Sequence, residues 1–372
     1  MKHCIRRAAC AFAALVMLAV CCACAAAESG SGKTDGHYDI ADKKDLVSIC
    51  YSTWFNPVIN EHPDKNGDGV PDVKNISEIL AGKGEWGGEG EFHYWGKPAL
   101  GYYRSDDKKV IRTHMKQLSD AGIDFIIIDN TNANLSWDDP GTDHGSGTYW
   151  HNMVTEPTVA LLDTIVEMRA KGEKTPYVTF WCKDWDVVNN LLEKYVKDPK
   201  YEDCFVYWGG KPFFIMVGKP DTDNVKVAWK PMWGLREEKG EWSFLQKENK
   251  PNYDKDGNVE QMCVCVAMQQ TYMSNTKTAT GRNGGKTFWK QWQNAFKYRP
   301  KIITITWWNE WVAQRLPDNQ NPPVYQFTDN YNQEFSRDIE PMEGGHGDQY
   351  YRWMCEYIKA YKAGKECPEL HE

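Results

Sequence analysis

Trp308-Asn309-Glu310-Trp311 closes the apolar run Ile302-Ile303-Thr304-Ile305-Thr306-Trp307, so a carboxylate and an amide stand among indoles where a buried strand should end. Partial withdrawal from water raises a carboxyl pKa and suits the group to carry a proton near neutral pH, while an adjacent amide suits a sugar hydroxyl. Glu310 is therefore the first candidate for acid or base catalysis, against the alternative of an ion pair with Arg315 or Arg337. A second run, Phe125-Ile126-Ile127-Ile128, ends in Asp129-Asn130. Asp129 is a candidate proton carrier and Asn130 a candidate substrate ligand, although an Asp after a strand also caps turns. Trp54, Trp181, Asp184, Trp308, Asn309 and Trp311 end or follow apolar runs and are candidate sugar contacts, because an indole offers a flat apolar face and a polar edge.

A metal-binding pattern stands apart from these. Asp64, Asn66, Asp68 and Asp72, with the carbonyl of Val70, place oxygen donors at alternate positions around Gly69, as a calcium loop requires. The twelfth position is Asn75 rather than a bidentate Glu, so the expectation is a structural Ca2+ site of modified closure, or else a polar turn. Asp254-Lys255-Asp256-Gly257 reads as a turn.

Positioning such groups requires a scaffold, and the sequence alternates short apolar runs with amphipathic stretches. Strands are expected near Leu46 to Trp54, Phe125 to Asp129, Tyr177 to Cys182, Phe205 to Tyr207, Phe213 to Val217, Val225 to Trp229, Met262 to Met268 and Ile302 to Trp308. Between them Val110, Ile111, Met115 and Leu118, then Val159, Leu162, Ile165 and Val166, then Phe288, Trp292 and Phe296, then Tyr350, Met354, Tyr357 and Ile358 recur at helical spacing. Ile126-Ile127-Ile128 is apolar on both faces, as a strand covered by helices must be. The expected fold is α/β, one (β/α)8 TIM-type barrel with elaborated loops over residues 45–365, with 366–372 as a tail. An open doubly wound sheet is the alternative, but no glycine-rich phosphate loop follows the first strand, and no organic cofactor is expected.

Composition bounds the partners. Net charge is −8 at pH 7, which argues against a nucleic-acid backbone or an anionic membrane as partner. Aromatic residues make up 13% of the chain, an investment that suits sugar rings as well as a large core. Residues 1–27 read as an export signal, with Lys2, Arg6 and Arg7 before the apolar Ala11 to Val20. Cleavage after Ala27 would release the protein. Cys21, Cys22 and Cys24 offer instead a lipidated cysteine, Cys24 the best placed, tethered through the flexible stretch 28–44 to a bacterial cell surface. Beyond the signal Cys50, Cys182, Cys204, Cys263, Cys265, Cys355 and Cys367 remain, an odd count that excludes complete pairing. Cys263 and Cys265 alternate along one strand face as small buried residues or a metal pair, and no C-x-x-C zinc spacing is present.

Trp308-Asn309-Glu310-Trp311 at a strand end resembles the motif of glycoside hydrolase families 71 and 99, secreted β/α barrels acting on α-linked glucans and mannans. That resemblance implies an exported glycosidase with a poly- or oligosaccharide substrate. It also implies that Glu310 acts on the substrate 2-hydroxyl or as base, with an acid Glu three residues on. Position 313 is Ala313, so the second carboxyl that glycoside hydrolysis needs must come from elsewhere. Asp129, Glu334 and Asp338 are the candidates, in that order. Gln333 to Pro341, followed by Gly344 to Asp348, together with Gly281-Arg282, is similar to a group of secreted bacterial proteins from which no activity is carried over. Gln269, Arg282 and His346 are candidate substrate contacts or loop-stabilising groups. A glycan-binding barrel without catalysis is the alternative function. A metal-dependent esterase lacks the clustered His and Asp set it would need.

Overall fold

Strand alternation sorts the long apolar runs onto two faces, and in the computed structural model each face packs into its own core. The structure describes residues 37–56, 73–138, 151–233, 240–269, 273–274, 277–317, 320, 322 and 325–371. The signal segment and the expected calcium ligands Asp64, Asn66, Asp68, Val70 and Asp72 lie outside the described residues.

In chain order the strands are β1 (Tyr38–Asp39), β2 (Leu46–Tyr51), β3 (Phe92–Tyr94), β4 (Phe125–Asn130), β5 (Tyr177–Cys182), β6 (Val206–Trp208), β7 (Lys211–Val217), β8 (Ala228–Trp233), β9 (Trp242–Ser243), β10 (Asn252–Tyr253), β11 (Val259–Cys265), β12 (Met273–Ser274), β13 (Ile302–Thr306), β14 (Val312–Pro317) and β15 (Tyr325–Thr328). The helices are α1 (Ile76–Leu80), α2 (Lys108–Ala121), α3 (Glu156–Ala170), α4 (Trp185–Leu191), α5 (Lys286–Tyr298) and α6 (Gln349–Lys362). Parallel pairs run β11-β13-β2-β4-β5-β7-β8-β9, the strand order of a TIM-type (β/α)8 barrel.

The ring closes between β9 and β11 through side chains. Gln261 of β11 accepts from Ser243 N at 3.0 Å, donates to Ser243 O at 2.7 Å and accepts from Asn252 Nδ2 at 3.0 Å, taking the place of ladder bonds. One residue pair further on, Asn249 Nδ2 donates to Cys263 O at 2.8 Å and Thr306 Oγ1 to Phe244 O at 2.5 Å. Inside the ring Leu46, Cys50, Phe125, Ile127, Trp181, Ile215, Cys263, Cys265 and Ile302 form one core. Outward-facing Val47, Ile49, Ile126, Ile128 and Phe180 pack beneath α2, α3, α5 and α6 in a second. Each such side chain removed from water contributes about 1.5–3 kcal/mol.

α2 shows how local signals place a helix. Asp107 caps its first turn by accepting from Lys109 N at 2.8 Å, Gly122 ends it at φ 87°, and Val110, Ile111, His114, Met115 and Leu118 form its buried face. Elsewhere the structure departs from expectation. The run at 205–207 is not a barrel strand: β6 pairs antiparallel with β7 across Gly209-Gly210, both at positive φ, as a two-residue hairpin turn demands. The strand expected at Val225 to Trp229 is β8, and it carries on to Trp233. Residues 37–44 are not wholly tether, since β1 pairs with β6 and Ile40 is fully buried. The tail is also docked, through bonds from Trp289 Nε1 to Pro368 O and Trp353 Nε1 to His371 O.

A second sheet, β12-β15-β14-β3, is antiparallel and was not foreseen. Its β14 and β15 follow Glu310 in the chain, while β3 and β12 come from before it. Ala313, on β14, is buried against His93 of β3. Asn75, the twelfth position of the expected calcium loop, caps α1 by accepting from Glu78 N at 3.2 Å.

Candidate active site

The backbone beyond β13 runs on as a platform that two other segments grip. Asn309 accepts from Ser52 N at 2.8 Å and donates to Ser52 O at 3.0 Å, so its amide extends the β13–β2 pairing past the end of β2. On the other side Trp307 N donates to Arg337 O, and Ile339 N and Glu340 N both donate to Trp308 O. Segment 337–340 thus lies along 307–308 and brings Arg337 to Glu310.

Arg337 donates Nε at 2.9 Å and Nη2 at 2.5 Å to Glu310 Oε2, and the same Nη2 lies 3.2 Å from Asp329 Oδ1. Arg337 is fully buried, whereas the Glu310 and Asp329 side chains keep 8% and 18% of their surface exposed, so the carboxylates face the opening and the guanidinium backs them. Asp329 sits at φ 64°, inside a turn closed by Asn330 N to Thr328 O at 2.7 Å. A non-glycine residue held in that region is strained, and such strain gathers at functional sites. Two bonds hold it: Gln269 Nε2 donates to Asp329 O at 2.5 Å, and Asn330 Nδ2 donates to the Glu310 carbonyl.

Asp129 ends the inward face of β4 and is buried, with Oδ1 accepting from Thr131 N at 2.8 Å. Burial pushes its carboxyl up to about 6, the Thr131 bonds oppose this, and the charges of Asp329 and Arg337 act on it from nearby. Burial likewise raises Glu310 well above the usual carboxylate range, Arg337 pulls it back, and Asp329 and Asp338 add to the rise. Arg337 is held firmly protonated by Glu310 and Asp329 against its burial. One cation among several buried carboxylates cannot keep all of them ionised.

Aromatic rings line the barrel below this cluster. Trp307 lies 5.3 Å from the Arg337 guanidinium, and Trp181 sits 4.8 Å from Phe244, 6.4 Å from Trp307 and 6.2 Å from Trp233. Trp233, partly exposed at the end of β8, joins the half-exposed Trp54 after β2 as a ring a sugar can reach. Behind the site Glu340 is saturated: it accepts from Tyr103 OH at 2.7 Å and Trp311 Nε1 at 2.6 Å and meets His114 Nε2 at 2.9 Å, with His114 Nδ1 on Tyr51 OH. Asp338 accepts from Trp95 Nε1, and burial raises its carboxyl to about 7.

The residues singled out from sequence separate accordingly. Glu310 and Asp129 both lie within the field of Arg337, and Trp181 is the β5 partner of Asp129. Asn130 lies on the opposite strand face, among Ile126 and Ile128, with neither amide atom partnered. Trp308 is fully buried under the helices, edge-on to His114 and Tyr351, and Trp311 is fully buried, stacked on Trp95 at 4.7 Å. Both are walls rather than platforms, and the Asn309 amide is spent on Ser52. Asp184 caps α4, accepting from Val187 N at 3.0 Å. Glu334 accepts from Asn283 N at 2.9 Å beside Gly281, where a Cβ would lie 2.1 Å from its Oε1. It is a latch between loops. Arg282 donates to Asp338 O at 2.8 Å and lies over Tyr350, and His346, driven down to about 2 by burial and Arg282, is neutral beside Trp95 and Tyr350. Among the described residues no group of His, Cys, Asp or Glu is arranged to hold a metal, and all seven cysteines of this part are free.

Sequence reasoning missed Asp329 and Trp233, and placed Arg337 only as one possible partner of Glu310. Trp233 escapes notice because the apolar signal ends at Trp229, whereas β8 runs Ala228–Trp233. Asp329 carries no local signal.

No protein-family model matches the chain, and no curated protein matches it in sequence. In fold it is similar to the family-99 endo-α-mannosidase of Bacteroides thetaiotaomicron, with a TM-score of 0.52 and 15% identity over 87% of this chain and 99% of that one. A family-99 endo-α-mannosidase from the same organism in complex with bis-tris propane gives 0.51 and 14% over the same shares. The likeness is one of fold, and it agrees with the resemblance carried by Trp308 to Trp311.

Proposed function

We propose that this protein is an exported glycoside hydrolase that cleaves poly- or oligosaccharides with Glu310 as base and Asp129 as acid. The observation that carries this reading is the cluster at the barrel mouth: two inward carboxylates, one forked by Arg337 and one bonded by the Thr131 amide and hydroxyl, above a lining of indoles. Glu310 and Asp329 share one guanidinium nitrogen and so lie no more than about 6 Å apart, close enough for Asp329 to steady the cation that Glu310 leans on. Asp129 has no such cation bonded to it, and with its carboxyl raised to about 6 it is the group placed to deliver a proton to a leaving oxygen. Buried Ala313 offers no carboxylate at the position where the family motif has one, so the second carboxyl must come from elsewhere, and this reading assigns it to Asp129.

The reading includes export through residues 1–27, with a Cys24 lipid anchor as the surface-bound variant, and a structural Ca2+ held by Asp64, Asn66, Asp68, Val70 and Asp72. No nucleic acid partner belongs to it. Reducing-end release from a panel of α- and β-linked polysaccharides tests it. Release from at least one is expected, and binding without release from any would make the protein a glycan-capture barrel.

A further inference from the structure

α5 carries Lys286, Lys290 and Asn294 at four-residue spacing, so they fall on one stripe of the helix. With the segment Lys247–Asn249 after β9 they line a groove of about 620 Å³. The segment is tied down by Gln291 Nε2 to Gln246 O at 3.3 Å and Lys250 N to Gln246 Oε1 at 2.6 Å. Lys247, Lys286 and Lys290 are exposed, and none has an ion-pair partner among the described residues; Glu248 is the one acid on the lining. In a chain of net charge −8 this is a local reversal of sign, and it draws anions.

A second observation indicates a ligand with hydroxyls. Asn249, a residue of the same lining, is 4% exposed; its Nδ2 is fixed on Cys263 O and its buried Oδ1 has no partner. Buried acceptors are normally satisfied, and a sugar hydroxyl would satisfy this one. The groove also borders the mouth. Met268 and Thr280, both on its lining, exchange backbone bonds at 2.8 and 2.7 Å, and the next residue, Gln269, is the one that holds Asp329.

We infer that this groove is a subsite for an anionic substituent, a sulfate ester or a carboxylate, on a saccharide whose neutral portion reaches Glu310. The saccharide part rests on the glycosidase reading; the charge part does not. Calorimetric binding of chondroitin sulfate, chemically desulfated chondroitin, polygalacturonate and neutral α-mannan tests it at physiological salt. The proteins compared are the wild type, Lys286→Glu/Lys290→Glu and Lys171→Glu/Lys174→Glu, the last pair lying between α3 and β5 at the amino ends of the strands. Expected is wild-type binding of at least one anionic chain, weakened tenfold or more by the α5 pair and unaltered by the distant pair. Loss of affinity on desulfation identifies the sulfate as the bound group, and equal affinity identifies the carboxylate. No anionic chain bound more tightly than mannan, or equal weakening by both pairs, overturns the subsite. Lysine-dependent binding without reducing-end release from any glycan would retain the subsite and remove the hydrolase.

Discussion

Asp129 and Glu310 must hold opposite protonation states within one buried cluster, and what distinguishes them is the donors each touches. Glu310 takes two N–H bonds from a guanidinium, whereas Asp129 is bonded only by Thr131; burial raises both carboxyls, and Arg337 is what pulls Glu310 back toward its charged form. The folded carboxyl of Asp129 at about 6 stands above its ordinary value, so the native state holds the proton more tightly than the unfolded chain does. The sign follows: stability is lost as pH rises from about 4 to about 6, and the full cost, up to about 3 kcal/mol, is present above that window. Asp129→Asn keeps an oxygen for Thr131 N and removes the charge, so its melting temperature should exceed wild type at pH 8 and match it near pH 4, while activity falls. A variant equally destabilised at both would contradict the assignment. In the wild type, turnover should decline as pH rises through about 6, as an acid loses its proton. Glu310 and Asp129 were legible because each ends an apolar run. Asp329 was not, since its importance arises from Arg337 and a positive φ, and neither is written in Thr328-Asp329-Asn330.

The elements that hold these residues were legible where burial is two-sided and obscure where it is not. Ile126-Ile127-Ile128 announced β4, and the α2 spacing announced its helix, because both bury faces wide enough to leave a period. β9 is two residues long and joins β11 through Gln261, so no period marks it. β14, β15 and β3 belong to a separate sheet, in strands of six, four and three residues too short and too polar to leave an apolar run. Gln261 carries a testable cost. Gln261→Leu strands Ser243 N and Ser243 O, and buried groups left without partners cost about 1–3 kcal/mol each. Urea unfolding should show a loss of roughly 2–5 kcal/mol, and a loss under about 1 would mean the barrel closes by packing alone.

At the scale of the whole molecule, the acidic chain builds a barrel whose carboxylate-rich mouth is steadied by one buried guanidinium and flanked by a lysine-lined groove. If the Asp64 to Asp72 loop holds Ca2+ in the folded state only, a chelator should lower the melting temperature by about 4 °C, since ligand at a hundredfold its dissociation constant adds about 2.7 kcal/mol. An unchanged melting temperature would reduce that loop to a polar turn. The barrel was legible from alternation alone, whereas the pairing of its candidate carboxyl groups was not, because distance across a ring of strands is independent of distance along the chain. The most direct test of the account compares wild type, Glu310→Gln and Asp129→Asn on whichever glycan releases reducing ends fastest, measuring turnover and binding together. The account predicts that both variants bind within a few-fold of wild type while turnover falls by roughly 10²–10⁴. Full turnover in Glu310→Gln would contradict it.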